Sequence, residues 1–265
     1  MGRIIAVSNQ KGGVGKTTTT VNLAGVLAKL GQRVLVVDMD PQANATTALG
    51  ADKYGSREHV YHALVTETPL GALIQHSEME GLDVLPSGPD LAGAELELVS
   101  ALARETKLKS VLAPIRDRYD VILVDCPPSL GLLTLNALTA CEGVLVPLQC
   151  EYYALEGISS LLRTIDLVRR SVNPRIRITG VLLTMFDRRN RLSFQVEAEA
   201  RQHFPNVIYE TTIPRNVKLA ESPSFGKPIV LYDPFCQGAL AYDALGHEVL
   251  VREGLTAPML AQEVA

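Results

Sequence analysis

The chain has 265 residues, 47% of them hydrophobic and 20% charged, with a net charge of −4 at pH 7. A chain of this length buries about three quarters of its unfolded surface, and a composition free of low-complexity tracts and repeats excludes a disordered or fibrous protein. The acidic balance argues against a surface bathed in positive potential for nucleic acid, and no apolar run reaches the ~18 to 20 residues of a membrane span.

The opening "MGRIIAVSNQKGG" lacks the basic, apolar and small-residue succession of a signal peptide, so a cytoplasmic chain is expected. Within it, "RIIAVSN" reads as a buried strand rich in β-branched residues. A glycine loop follows. Then "KTTTTVNLAGVLAKLG" places Val21, Ala24, Leu27 and Leu30 at helical spacing and stops at Gly31, a good C-terminal cap. Strand, glycine loop, helix is the setting a phosphate-binding loop needs.

The loop departs from the usual G-x-x-x-x-G-K-[ST] pattern, because Gln10 stands at the first glycine position and a second lysine, Lys11, precedes Lys16 by five residues. Gly12, Gly13 and Gly15 permit positive φ and close backbone approach, so that successive N–H groups can face phosphate oxygens. The helix N-terminus adds positive potential, Lys16 a point charge for the β and γ phosphates, and Thr17 a hydroxyl for Mg²⁺. ATP and Mg²⁺ are the expected ligands. Lys11 is a candidate for the cation that phosphoryl transfer places opposite developing charge, in its own subunit or in a neighbour.

Further along, "RVLVVDMD" reads as a buried strand ending in Asp38 and Asp40, "LDVLPS" as a weaker strand, and "YDVILVDCPPS" as a strand ending in Asp125. Asp125 fits an acid that holds Mg²⁺ through a water, and Asp38 and Asp40 should face the same crevice at the strands' carboxyl ends. "GVLVPLQ" and "IRITGVLLTMF" complete the strands. Helical patterns separate them, notably Leu155, Ile158, Leu161, Leu162, Ile165 and Val168. The alternation predicts a single α/β domain over residues 1–265, a mostly parallel twisted sheet with helices on both faces. The tail from Gln237 to Ala265 reads as a C-terminal helix with a frayed end.

Charge is uneven. Ser159 to Arg191 holds eight arginines against Asp166 and Asp187, a local +6 that leaves −10 for the remainder. With Arg215, Lys218 and Lys227 this segment is the candidate phosphate-backbone surface, whose binding would be sequence-independent and fall steeply with salt. Cys126, Cys141, Cys150 and Cys236 form no CxxC pair and no metal-like spacing, which favours buried thiols in a reducing compartment.

Five segments in order, "KGGVGKTT", "VVDMDPQANAT", "ILVDCPPSLG", "LTMFDRR" and "IPRNVKLAESPSFGKP", resemble the ParA/Soj family of deviant Walker-A ATPases, which partition chromosomes and plasmids. The likeness runs from Arg3 to about Asp243, and a phosphate loop so near residue 1 resembles the small chromosomal type. The resemblance implies that residues Lys11, Gly12, Gly13, Val14, Gly15, Lys16, Thr17 and Thr18 bind nucleotide phosphates. It implies Thr17, Asp38 and Asp125 around magnesium, Asp40 orienting the attacking water, and Lys11 crossing to a partner subunit's ATP. A side chain at Gly12 would block the facing loops of such a dimer. Pro214 and Asn216, with Met185 and Phe186, would hold the base.

The family cycle implies an ATP-dependent homodimer, nonspecific binding to nucleoid DNA and hydrolysis stimulated by a ParB-like partner. Arg188, Arg189, Arg215 and Lys218 are the expected DNA contacts. Two other readings share the scaffold. A MinD-like membrane-positioning ATPase would need a basic amphipathic C-terminal helix, whereas "GHEVLVREGLTAPMLAQEVA" sets Arg252 against three glutamates. A metabolic or iron–sulfur enzyme would need a cysteine pair that the spacing does not supply.

Overall fold

The computed structural model describes residues 1–51, 58–151 and 154–255, with the side chains of 154–157 excepted. In chain order the elements are β1 (Arg3–Val7), α1 (Lys16–Lys29), β2 (Val34–Asp38), α2 (Asn44–Ala48), α3 (Val60–Val65), α4 (Leu70–Leu73), β3 (Gln75–His76) and β4 (Leu82–Leu85). There follow α5 (Leu91–Glu97), α6 (Lys107–Leu112), β5 (Val121–Asp125), α7 (Leu132–Ala140), β6 (Gly143–Gln149) and α8 (Ala154–Ser171). The last are β7 (Arg177–Phe186), α9 (Arg191–His203), β8 (Ile208–Pro214), α10 (Val217–Glu221), α11 (Ile229–Tyr232) and α12 (Gln237–Glu253). The expected C-terminal helix is thus α12, and the rest of the predicted tail, 256–265, lies outside the described residues.

The strands form one eight-stranded sheet in the order β3-β4-β2-β5-β1-β6-β7-β8, parallel throughout except for β3 against β4. Side chains alternate between the two faces along each strand, and this divides the core in two. Ile4, Ala6, Leu35, Val37, Ile122 and Val124 face one side, against Leu91, Leu133, Leu161 and Ile165 of the helices there. Ile5, Val7, Val34, Val36, Val121 and Leu123 face the other, against Leu23 and Leu27 of α1 and Tyr242 and Leu245 of α12. Because both faces are covered, the central strands read as continuous apolar runs instead of alternating ones. Each fully buried Val, Leu or Ile contributes about 1.5–3 kcal/mol relative to exposure.

Close approach of α12 to α1 requires Gly246, where an added Cβ would stand 2.3 Å from Val26 Cγ1. Pro147 sits inside β6, in the middle of the sheet, where a missing N–H ordinarily breaks a ladder. It is tolerated because pairing of β6 with β1 ends at Val7↔Leu145. Beyond that point the Pro147 carbonyl is taken by Asn9 Nδ2 at 2.7 Å.

β8 was not among the predicted strands. It is an outer strand whose residues alternate between buried, half-buried and exposed, so "IYETTIP" carries no continuous apolar signal. The weak candidate "LDVLPS" is β4, paired with β2 from Val34↔Leu82 to Val37↔Leu85. Among the described residues no helix is long and apolar enough to cross a membrane.

Candidate nucleotide-binding site

Register builds the site. Asp125, the last residue of β5, pairs with Val7 at the end of β1 and with Asp38 at the end of β2, so the glycine loop and two acids leave the sheet side by side. The loop's entry is pinned to β6, with Ser8 N donating to Leu145 O at 3.1 Å and buried Asn9 on Pro147. Asn9 Oδ1 in turn accepts from Lys11 N at 3.0 Å. Gly13 at φ 74° and Gly15 at φ 87° turn the chain through the left-handed region, which side chains disfavour. Gly15 caps α1 without a side-chain bond, so the first-turn N–H groups of the helix remain available to an anion.

The two lysines point to different places. Lys16 is buried, and its Nζ reaches back across the loop to Lys11 O at 3.2 Å. Burial lowers its pKa, opposed by the charges of Asp125, Cys126 and Asp40. Lys11 is partly exposed, and its Nζ bonds Glu151 Oε2 at 2.8 Å. An added Cβ at Gly12 would meet nothing within 4 Å, so within one chain that position has open space.

Asp125 is fully buried and accepts from Thr17 Oγ1 at 2.7 Å and Thr20 Oγ1 at 2.9 Å. Asp38, equally buried, accepts from Asp40 N at 3.1 Å and from Thr46 N and Oγ1 at 2.8 and 2.7 Å. Burial raises the pKa of both acids, and their mutual repulsion adds to the effect on Asp125. Two buried carboxylates without an ion-pair partner among the described residues, beside a threonine hydroxyl, form a set of hard oxygen donors. Such a set fits Mg²⁺, which takes one or two protein oxygens and keeps waters. Asp40 keeps about 8% of its surface exposed, and its Oδ1 accepts from Gln42 N at 3.0 Å.

Beside α1's start lies an apolar cavity of about 400 Å³ lined by Gly15, Thr18, Met185, Pro214, Asn216 and Tyr242 among others. Met185 adopts φ 52°, unusual for a residue with a side chain. Asn216 Oδ1 caps α10 by accepting from Lys218 N at 2.8 Å. Phe186 is absent from this cavity. It packs in the core with its ring 5.4 Å from that of Phe194, because neighbouring strand residues point to opposite faces.

The arginine-rich segment does not form one patch. Arg175 and Arg177 stand at the start of β7, and Arg188, Arg189 and Arg191 follow its end; ten strand residues separate the groups by about 33 Å. Arg177 pairs with Glu253 at 2.7 Å and Arg169 with Asp166 at 2.8 Å. Arg188 and Arg189 share the phosphate-loop edge of the sheet with Arg215 and Lys218, which follow the adjacent β8. There Arg189 contacts Asp187 at 3.2 Å, and Lys218 contacts Glu221 at 2.9 Å. Exposed pairs of this kind are weak because solvent screens them, so they leave the cations exchangeable.

Thr20, Thr46, Ser87 and Glu151 also contact the site and were not among its predicted residues. Spacing within one segment could not have found Ser87 or Glu151, since Ser87 acts through bonds closed by the parallel pairing of β2 with β4 and Glu151 lies 140 residues from Lys11.

Fold and loop together define a P-loop nucleoside triphosphatase carrying a second lysine in its loop. A family model described as an AAA domain matches residues 2–178. The chain is 54% identical to the sporulation initiation inhibitor protein Soj of Bacillus subtilis over 94% of this chain and 98% of that one. It is 52% identical to the chromosome partitioning protein ParA of Myxococcus xanthus over 97% and 91%. A solved structure described as cobyrinic acid a,c-diamide synthase from Mycobacterium smegmatis, with bound ADP and magnesium, is 37% identical with a TM-score of 0.85, covering 96% of each chain. The chain belongs to the Soj/ParA family of chromosome-partitioning ATPases.

Proposed function

We infer that ATP joins two copies of this chain face to face across their phosphate loops, and that the dimer binds DNA nonspecifically. A ParB-like centromere-binding partner then stimulates hydrolysis and release. The placement of Lys11 supports this reading most. Its Nζ lies outside its own loop on Glu151, an exposed pair that costs little to break, and Gly12 beside it leaves open space for a second loop.

In this reading the backbone N–H groups from Gly13 to Thr18 and the Lys16 ammonium hold the phosphates, and Thr17 and Asp125 hold Mg²⁺ with Asp38 behind them. The metal when bound neutralises charge on the transferred phosphoryl oxygens. Asp40 orients the attacking water, Lys11 of the partner meets the developing charge, and Met185, Pro214 and Asn216 enclose the base. Arg188, Arg189, Arg215 and Lys218 contact DNA phosphates, and dimerisation doubles the patch and its avidity. A single domain acting in the cytoplasm on the nucleoid is consistent with this set.

A DNA-binding titration with no nucleotide, ADP and ATP at two salt concentrations tests the reading. The expected result is tight binding with ATP alone, weakening steeply with salt. Equal affinity in all three states, or ATP-dependent capture by anionic vesicles instead of DNA, would refute it.

A further inference from the structure

Asp40 is held by a closed ring of hydrogen bonds that reaches one segment outside the nucleotide motifs, at Ser87. Its N–H donates to Asp38 Oδ1 at 3.1 Å, and its carbonyl accepts from Ser87 Oγ at 2.8 Å and from Ala43 N at 2.9 Å. Ser87 N donates to Thr46 Oγ1 at 2.9 Å, and that hydroxyl donates on to Asp38 Oδ2 at 2.7 Å. Asp40, Asp38, Thr46 and Ser87 therefore close on themselves. Ser87, Thr46 and Asp38 have no exposed surface, and Asp40 retains about 8%. Such buried, fully satisfied networks are stiff.

The ring leaves one atom free. Asp40 Oδ1 is used by Gln42 N, and Oδ2 accepts no hydrogen bond from any described residue, so it is the oxygen available to a water. The turn that follows Asp40 stores strain as well, since Ala43 adopts φ 55° and persists there because Asp40 O, Ser87 and Thr46 over-determine the loop. Ser87 reaches Asp40 from two residues beyond β4, the strand parallel to β2.

We propose that Ser87 is a positioning residue for ATP hydrolysis: through Thr46 and the Asp40 carbonyl it fixes where the free Asp40 oxygen holds the attacking water. This rests on the reading of Asp40 given above. Ser87 and Thr46 do not touch nucleotide in this account, so their loss acts on turnover and spares binding. A shift of about 1 Å in a catalytic group costs up to about a hundredfold in rate.

Single-turnover ATP hydrolysis, nucleotide affinity and melting temperature are measured on the full chain for Ser87→Ala, Thr46→Val, Thr46→Ser, Asp40→Ala and the Ser87→Ala/Asp40→Ala double variant. Expected are turnover in Ser87→Ala and Thr46→Val lowered about ten- to hundredfold with ATP affinity within about twofold, and recovery in Thr46→Ser. The double variant should be no slower than Asp40→Ala, because residues that act through one group are not additive. If Ser87→Ala turns over normally while Asp40→Ala is inactive, the positioning role is wrong and the reading of Asp40 stands. If Asp40→Ala itself turns over normally, both are wrong. Parallel losses of affinity, melting temperature and turnover without rescue by Thr46→Ser would reduce the ring to a structural brace and overturn the proposal.

Discussion

Lys11 and Lys16 share a loop yet serve different directions, Lys16 spanning its own concavity and Lys11 reaching out to Glu151. The placement of Lys16, Thr17 and Asp125 at one loop was legible in the sequence, because a glycine loop, a helix start and an apolar strand end set it locally. Glu151 and Ser87 were not, because their contacts join residues 140 and 47 positions away. At this scale Asp125 carries a trade-off. Its native pKa is raised by burial first and by Asp38 second, so the folded chain without metal loses stability as pH rises from an ordinary carboxylate's ~4 toward that raised value. Asp125→Asn should raise the melting temperature of metal-free protein near neutral pH, by ~2–4 °C per kcal/mol recovered, and flatten its pH dependence. Mg²⁺-dependent hydrolysis should be lost in the same variant. Calorimetry from pH 5 to 8 checks this, and a lower melting temperature at neutral pH would contradict it.

Among the elements, β7 and β8 decide which cations can act together. Read linearly, the eight arginines between Ser159 and Arg191 look like one basic surface. The strand in their midst carries the chain across the sheet, so Arg175 and Arg177 end on the edge opposite to Arg188 and Arg189. That separation follows from reading "IRITGVLLTMF" as a strand, whereas the sequence does not show that β8 lies beside it and brings Arg215 and Lys218 to the same edge. Arg189→Glu and Lys218→Glu should each weaken ATP-dependent DNA binding about tenfold or more at low salt and reduce the salt slope by about one phosphate contact, ~0.9. Arg175→Glu should leave affinity within about twofold. Fluorescence anisotropy on short duplex DNA separates these outcomes, and equal losses in all three variants would indicate a general charge effect.

For the whole molecule, one register accounts for the site. Val7, Asp38 and Asp125 end their strands together, and β6, β7 and β8 add the Asn9 anchor, the apolar cavity and the basic edge along the same side. The α/β class, the parallel sheet and the two covered faces were legible because continuous apolar strands recur between helical periods from Arg3 to Ser171. The edge strands β3 and β8 were not, since one has two residues and the other is half polar. In the function proposed above, Lys11 couples ATP to dimerisation, and dimerisation to DNA. Light scattering after size exclusion with saturating ATP and Mg²⁺ tests it on Lys11→Ala beside the unaltered chain. Expected are an ATP-dependent dimer for the unaltered chain, and a monomer that still binds ATP with near-normal affinity for the variant. A Lys11→Ala chain that dimerises with ATP as readily as the unaltered one would contradict it.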